Sequence, residues 1–490
     1  MFVAPGGTPR CPVILKPSLR KGARVDVAIA GATGFVGRAL TAHLLERGHN
    51  VIALGRSASS LSTEARTIDV DVGDEVAITT ALAGAEVAYY LVHSMAAGGE
   101  FRAADLRLAT TFGRAAAEAG LRRIVYVGAL GDAPDSTHLA SRQEVGSALG
   151  AGGTTVVELR AAMVFGSGSI SFEMLRYLTE RLPAMVCPRW VRTRIQPIAL
   201  TDLLDYLEQS LKVDAGIYEV GGADVTTYRE LIAEYARGRG LRPRYILDIP
   251  WLTPHLSSYW VDLVTPVDRS VSHALIESLV SEVVVTNPAP TRRAFSVTPM
   301  GVESALTAAL SDQADELTRS LFDRRNGLVD GVYSVVVDLA VPPGVAGAAA
   351  RDLQDIGGTL GWYGAAVGWA GRLLLGRLVG ERLRRRKPEV LEPGALVDWW
   401  RVARTAPGEL VLRAVGWFSG DAWLGFRVTE GSLRQVAAFR PRGIPGFLYW
   451  KLLWPVHDLA FARMARHRIR RAIRSAPVEQ NGDAPNPRTN

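Results

Sequence analysis

The stretch Val25-Asp26-Val27-Ala28-Ile29-Ala30-Gly31-Ala32-Thr33-Gly34-Phe35-Val36-Gly37 decides the fold. Residues 25–30 read as a short buried strand. Leu40, Leu44 and Leu45 then mark an apolar helix face that stops at Gly48-His49-Asn50. Glycine at 31 permits a tight turn, glycine at 34 lets a pyrophosphate approach the backbone, and glycine at 37 lets helix and strand pack closely. The unpaired N–H groups at the helix start then hold the phosphate charge, with Thr33, Phe35 and Val36 in the same cradle. Three glycines alone say little. Strand, glycines and helix in this order define a nucleotide site.

Further strands are expected at 51–54, 67–70, 87–92, 124–127 and 155–159, alternating with helical segments such as 101–119. That alternation marks an α/β fold with a Rossmann-type doubly wound parallel sheet. Arg56 follows the second strand, where an acidic residue usually meets a free ribose hydroxyl. Its guanidinium suits a 2′-phosphate instead, which favours NADP(H) over NAD(H) unless Arg56 is simply a solvated loop residue. Asp71, after the third strand, is placed to accept a hydrogen bond from the adenine amino group. Ligands lie at the carboxyl ends of such strands, which makes Val92, His93, Ser94, Gly128 and Arg160 cofactor-site candidates.

This half resembles the atypical short-chain dehydrogenase/reductases, near the NmrA-like and NAD-dependent epimerase/dehydratase groups. The residues that carry the likeness are the Gly31–Gly37 turn, Asp71, Tyr89-Tyr90-Leu91-Val92-His93-Ser94-Met95, Arg123-Ile124-Val125-Tyr126-Val127-Gly128 and Glu158-Leu159-Arg160. The resemblance implies a Tyr-x-x-x-Lys pair for hydride transfer, the tyrosine giving the proton and the lysine holding the nicotinamide ribose. Here His138 and Arg142 stand at those places, and Gly128, Ala129 and Leu130 lack the expected serine. The catalytic candidates are therefore His138, Arg142 and His93, with Tyr89, Tyr90 and Ser94 as other groups that could assemble an acid. No metal ligands are read.

Residues 165–300 should form a substrate lobe on the domain spanning 24–310. Its arginine-rich loop offers Arg189, Arg192 and Gln196 for an anionic substrate, or is a surface charge run. Thr227 and Glu230 have the spacing of a capping box. Residues 311–330 read as linker or surface helix. A second domain is expected over 331–475, with a long helical stretch at 356–379, strands at 397–403, 409–418, 422–428 and 432–439, and a last helix at 449–474 bent at Pro455. Strands curved around one long helix resemble the START/Bet v 1-like α+β helix-grip fold. Asp398-Trp399-Trp400-Arg401-Val402 and Arg440-Pro441-Arg442-Gly443 resemble the DUF2867 pattern of a bacterial subgroup of large short-chain dehydrogenase/reductase proteins. Residues 1–23 and 476–490 read as loose ends.

Among the 490 residues, 48% are hydrophobic and 21% charged, a balance that excludes a mainly disordered chain. The net charge of +7 does not argue for nucleic acid, and no binding motif accompanies it. Cys11 and Cys187 form no metal or redox motif, so a reducing cytoplasm is expected. No run of about eighteen apolar residues suggests a spanning helix. The arginine-rich last helix either packs one face on the sheet or touches an anionic membrane peripherally. Three functions stay open. They are an NADP(H)-dependent oxidoreductase or epimerase acting on a hydrophobic or anionic small molecule, a non-catalytic NADP sensor, and a lipid carrier working through the second domain.

Overall fold

The computed structural model describes residues 24–93, 101–131, 137–249, 279–329, 331–357, 362, 387–415 and 420–476. Its first half is built on seven strands: β1 (Asp26–Ala30), β2 (Asn50–Gly55), β3 (Arg66–Asp69), β4 (Val87–Tyr90), β5 (Arg123–Ala129), β6 (Thr155–Ala161) and β7 (Gly216–Val220). They pair in the order β7-β6-β5-β4-β1-β2-β3, and every pairing is parallel. Side chains alternate along each strand, so both faces need cover. One face buries Val27, Ile29 and Tyr89 beneath α1 (Phe35–Glu46). The other buries Ala28, Ala30 and Tyr90 beneath α2 (Glu75–Leu82), α3 (Phe101–Glu118) and α4 (Thr137–Leu149).

The lobe adds α5 (Ile170–Arg181), α6 (Leu200–Gln209) and α7 (Tyr228–Gly238). Helix α6 belongs with α1 on the sheet; His43 and Arg47 of α1 meet Asp205 and Glu208 of α6, with His43 Nε2 2.9 Å from Glu208. Helices α5 and α7 pack with a strand pair, Ala184–Cys187 and Tyr245–Asp248, around a separate apolar cluster. The Thr227–Glu230 capping box forms as the spacing requires.

The second half is an antiparallel sheet: β8 (Gly327–Val329), β9 (Val332–Ala340), β10 (Leu396–Val397), β11 (Trp400–Ala406), β12 (Glu409–Ala414), β13 (Gly420–Val428) and β14 (Ser432–Pro441). The order is β8-β9-β14-β13-β12-β11-β10. On its inner face Leu412, Leu424, Phe426 and Phe439 meet Trp450 and Met464 of the last helix, in the helix-grip manner. That helix runs Gly443–Ser475 and continues through Pro455. The sheet's outer face carries Val411, Trp423, Val436 and Ala438, one residue out of phase.

What covers this outer face is the stretch read as linker or surface helix. Helix α8 (Val302–Arg319) runs into it, and Leu317, Leu321 and Phe322 are buried on the sheet. The Trp423 indole N–H donates to the Thr318 hydroxyl at 3.1 Å. The charges that suggested a linker lie on the opposite side of an amphipathic segment. Helix α9 (Ala346–Asp352) docks on the last helix, which becomes α10, through Asp352 and the Arg468 and Arg471 guanidiniums. The expected helix at 356–379 and the ends 1–23 and 477–490 fall almost wholly outside the described residues. Among the described residues no helix is long and apolar enough to cross a membrane.

Docking of this segment is testable. Leu321→Ala removes a fully buried side chain and should destabilise the chain by about 2–5 kcal/mol. A freely moving linker would leave the denaturation midpoint unchanged.

Candidate dinucleotide site and apolar pocket

Gly31 closes the turn after β1 with φ +85° and donates its N–H to the Leu54 carbonyl at 3.0 Å. A Cβ there would lie 2.8 Å from the Leu91 carbonyl oxygen, and one on Gly37 would lie 2.2 Å from that of Gly31. Both positions therefore need glycine, for different reasons: Gly31 for its backbone angle and Gly37 for contact distance. Gly34 is the extended N-cap of α1 and supplies no side-chain cap. The first amides of α1 keep their donors for a ligand, and the helix dipole favours an anion there. These features fit a dinucleotide pyrophosphate. Phe35 and Val36 open α1, but the Phe35 ring turns to Gly166 and Gly168, so its N–H is what faces the turn.

Arg56 stands just beyond β2, exposed and without a hydrogen bond or ion pair among the described residues. Ser57 beside it is also exposed, a second donor that the arginine overshadowed in the sequence. The Asp71 carboxylate accepts the Gly73 N–H at 2.8 Å, which sets its direction and leaves its other oxygen open. Thr33 is half-buried, with its side chain against Gly55 at the end of β2. Val92 is half-buried and His93 exposed, just past β4. Ser94 and the His138 side chain fall outside the described residues.

Gly128, Arg142 and Arg160 are brought together, around a group that the sequence reading passed over. The Glu158 carboxylate is buried and accepts from Arg160 Nε at 2.8 Å. A Cβ on Gly128 would sit 2.6 Å from one Glu158 oxygen and one on Gly146 2.4 Å from the other. Burial pushes the Glu158 carboxyl above its ordinary range, with Arg160 and Arg142 opposing. Arg142 donates to the Val127 carbonyl, and its guanidinium lies 5.1 Å over the Tyr126 ring. The Tyr126 hydroxyl donates in turn to the Arg142 carbonyl at 2.8 Å. A lone acid in an apolar strand, with a glycine on each side in space, was the available signal for Glu158.

Tyr89 and Tyr90 are core residues. The Tyr89 hydroxyl donates to the Leu207 carbonyl at 2.8 Å, and Tyr90 packs on Phe112. Burial raises both phenols far above their ordinary range. Neither supplies an acid to a pocket.

An apolar cavity of about 170 Å³ opens at the carboxyl ends of β5 and β6. Ala129, Leu130, Ala161, Ala162 and Met163 form its floor, and Met174, Leu175 and Leu178 of α5 wall it. Trp190, Ile195, Tyr228 and Ile232 close the lobe side. The Trp190 indole nitrogen is buried with no partner among the described residues. The Tyr228 hydroxyl also has none, and burial raises its pKa so that it stays a donor. The two rings meet edge to face at 5.8 Å.

The arginine loop thus sends Trp190 and Ile195 inward, and Arg189, Arg192 and Gln196 are not in the lining. Arg189 is exposed. Arg192 Nε donates to Asp248 at 2.6 Å. Gln196 clips backbone together, donating to the Gly222 carbonyl at 2.7 Å and accepting the Val285 N–H at 3.0 Å.

A glycine turn on a doubly wound parallel sheet, with an apolar pocket at the strand ends, defines a dinucleotide-binding class. A family profile described as NAD(P)H-binding matches residues 31–161, and DUF2867, a family of unknown function, matches 310–464. The chain accordingly has an N-terminal NAD(P)-binding Rossmann-like domain and a C-terminal DUF2867 domain. An uncharacterised protein of Mycobacterium tuberculosis is 28% identical over 222 residues, covering 44% of this chain and 24% of that protein. The chain therefore spans about a quarter of that relative. The dTDP-6-deoxy-L-talose 4-dehydrogenase (NAD(P)(+)) of Kitasatospora kifunensis is 27% identical over 263 residues, covering 46% of this chain and 82% of its own. Among solved structures, the NADPH-dependent quinone oxidoreductase of Escherichia coli, complexed with NADPH, aligns with TM-score 0.47 and 19% identity over 57% of this chain and 98% of its own. The UDP-glucose 4-epimerase of Thermotoga maritima with UDP-glucose aligns with TM-score 0.47 and 12% identity over 59% of this chain and 99% of its own.

The glycine contacts generate a direct expectation. Gly37→Ala should remove saturable binding of NADPH and NADH alike, followed by nicotinamide fluorescence. Because the added methyl meets the Gly31 carbonyl, the start of α1 should shift and the denaturation midpoint should fall as well. Unchanged binding would show that this turn does not hold the pyrophosphate.

Proposed function

We propose that this chain is an NADP(H)-dependent oxidoreductase acting on a small apolar molecule that carries a hydrogen-bond acceptor, of the carbonyl class. The observation that carries this reading is the cavity beside the strand ends, whose lining is apolar apart from Ser171, the Tyr228 hydroxyl and the Trp190 indole, the last of these buried without a partner among the described residues. A buried donor without a partner is costly, and a substrate oxygen held by the Tyr228 hydroxyl would offer it one. A sugar nucleotide would instead ask for several polar and cationic contacts, which this lining lacks. That weighs against an epimerase.

A bound reduced nicotinamide supplies hydride. On this reading the Gly31–Gly37 turn and the α1 amides hold the pyrophosphate, Asp71 meets the adenine, and Arg56 with Ser57 meets the 2′-phosphate. Val92, His93, Ser94 and Gly128 would border the cofactor. Arg142 and Arg160, set around Glu158, keep positive charge under the nicotinamide end. Tyr228 and Trp190 orient the substrate oxygen, and Tyr228, His93 and His138 are the candidate proton donors. A small-molecule partner and a cytoplasmic setting suit the free, buried Cys187.

A second reading is a non-catalytic NADP sensor. It draws on Ala129 and Leu130 at the serine place and on the bond tying Arg142 to Val127. Turnover separates the two. Wild-type protein should oxidise NADPH in the presence of quinones or apolar ketones. Binding without turnover across such a panel would favour the sensor.

Arg56→Ala should weaken NADPH binding by about one to two decades and leave NADH nearly unchanged, since it removes charge-assisted bonds to phosphate alone. Equal loss for both cofactors would point to adenine stacking. Tyr228→Phe keeps the ring and removes its hydroxyl, and Trp190→Phe removes the indole N–H while replacing the indole with a smaller aromatic ring. Each should lower kcat/KM by about tenfold or more while NADPH affinity holds. Wild-type kcat/KM in both variants would overturn the assigned pocket.

A further inference from the structure

Helix α10 is covered along one side only. Trp450, Met464, Ala465, Ile469 and Ala472 are buried against the sheet and α9. At about 100° per residue, the opposite side is traced by Ile444, Leu448, Leu452, Val456 and Leu459, all exposed. The same line continues, in unbroken steps of three and four, through the exposed Arg463, Arg466, Arg470 and Arg474. One stripe thus follows the whole 33-residue helix, apolar for about 22 Å and then cationic over its last third. We propose that this stripe seats the second domain on an anionic lipid bilayer, its apolar half in the boundary between headgroups and acyl chains and its four arginines on lipid phosphates. The proposal is independent of the oxidoreductase reading.

Exposure is the first argument. Single apolar residues are common on any surface, but five large aliphatic side chains in one line are not. Leu452 is 76% exposed and Val456 59%, on the side where a helix packed on a sheet normally carries polar residues. Charge is the second argument. Arg463, Arg466, Arg470 and Arg474 have no ion pair among the described residues, whereas Arg468 and Arg471, toward α9, are held by Asp352. Asp458 is the one acid of the helix, and it lies about a third of a turn to one side of the stripe. A line of unpaired guanidiniums complements anionic headgroups, and arginine stems can lie along the apolar boundary while their ends reach phosphate. With arginines over its last third, α10 is not apolar enough to cross the bilayer, and the contact is peripheral.

A second copy of the chain fits this stripe poorly. Two such helices side by side in the same direction bring arginine against arginine. In full antiparallel register, each apolar half lies against the other's arginines. An offset antiparallel pair matches apolar to apolar, but it leaves every arginine unused. The lipid surface accommodates both halves at once.

The test is co-sedimentation of the full chain with phosphatidylcholine vesicles that contain or lack phosphatidylserine. Binding should be at least about tenfold tighter to the anionic vesicles and should weaken as salt rises. Leu452→Ser/Val456→Ser should weaken binding to anionic vesicles by at least about tenfold, since both side chains lose the burial that the bilayer offers. Arg463→Gln/Arg466→Gln/Arg470→Gln should bring anionic vesicles down to the level of neutral ones. Both variants should keep the denaturation midpoint and the NADPH affinity of wild type. Absence of vesicle binding, or wild-type binding by either variant, overturns the proposal; loss in the arginine variant alone would reduce the contact to charge attraction without insertion. A dimer seen by analytical ultracentrifugation and abolished by Leu452→Ser/Val456→Ser, with no vesicle binding, would give the stripe to a second copy. A sharp fall in the midpoint of that variant, with vesicle binding intact, would mean that the chain itself covers the stripe, and would overturn the proposal as well.

Discussion

The approach of Gly37 to the Gly31 carbonyl sets the position of everything at the nucleotide end. A single methyl at that contact would overlap the oxygen and push α1 off the sheet. With hydrogen there, the helix begins immediately above β1 and its first amides point where a pyrophosphate would lie. The same contact fixes the angle at which Leu40 and Leu44 enter the core, so packing on that face and anion recognition are not separable. Beneath β5 and β6 the logic repeats in side-chain form. Gly128 and Gly146 give up their Cβ atoms to make room for one buried carboxylate, and Glu158 in turn holds Arg160.

Buried charge also governs the seam between the domains. Arg239 of the lobe lies between Glu180 of α5 and Asp421 of β13, with Arg239 Nη1 2.8 Å from Asp421. Burial opposes ionisation of Asp421, yet Arg239, Arg442 and Arg440 hold its carboxyl below the ordinary range. Such a pair gives little net stability against an apolar substitute, but removing one member leaves a desolvated charge behind. The seam is therefore specific in register: each domain supplies charges that the other must match. Helix α5 sits in that seam while also walling the apolar pocket, so its position is determined from both sides.

Much of the first domain was legible from the chain because its signals are local. The strand–glycine–helix order, the alternation of short apolar strands and helices, and the Thr227–Glu230 cap all depend on neighbours within a few residues. The strands of the second sheet and the long last helix were readable on the same grounds. The stretch after Leu310 was harder, since its charges are conspicuous and its buried Leu317, Leu321 and Phe322 have meaning only against the outer face of a sheet formed later in the sequence.

Sequence by itself determined the class of fold and the glycine turn at Gly31, Gly34 and Gly37. Tertiary structure decided which residues of the arginine loop turn inward, that Tyr89 and Tyr90 are core, and that Glu158 organises Arg160 and Gly128. It also decided that α5 both walls the apolar pocket and lines the seam. The physical reason is that backbone conformation is set by short-range sterics and hydrogen bonding, whereas burial and charge pairing depend on surfaces brought together from distant parts of the chain. Trp190 lies beside Arg189 in sequence, but only the packed lobe distinguishes the ring that enters the pocket from the guanidinium that stays in water.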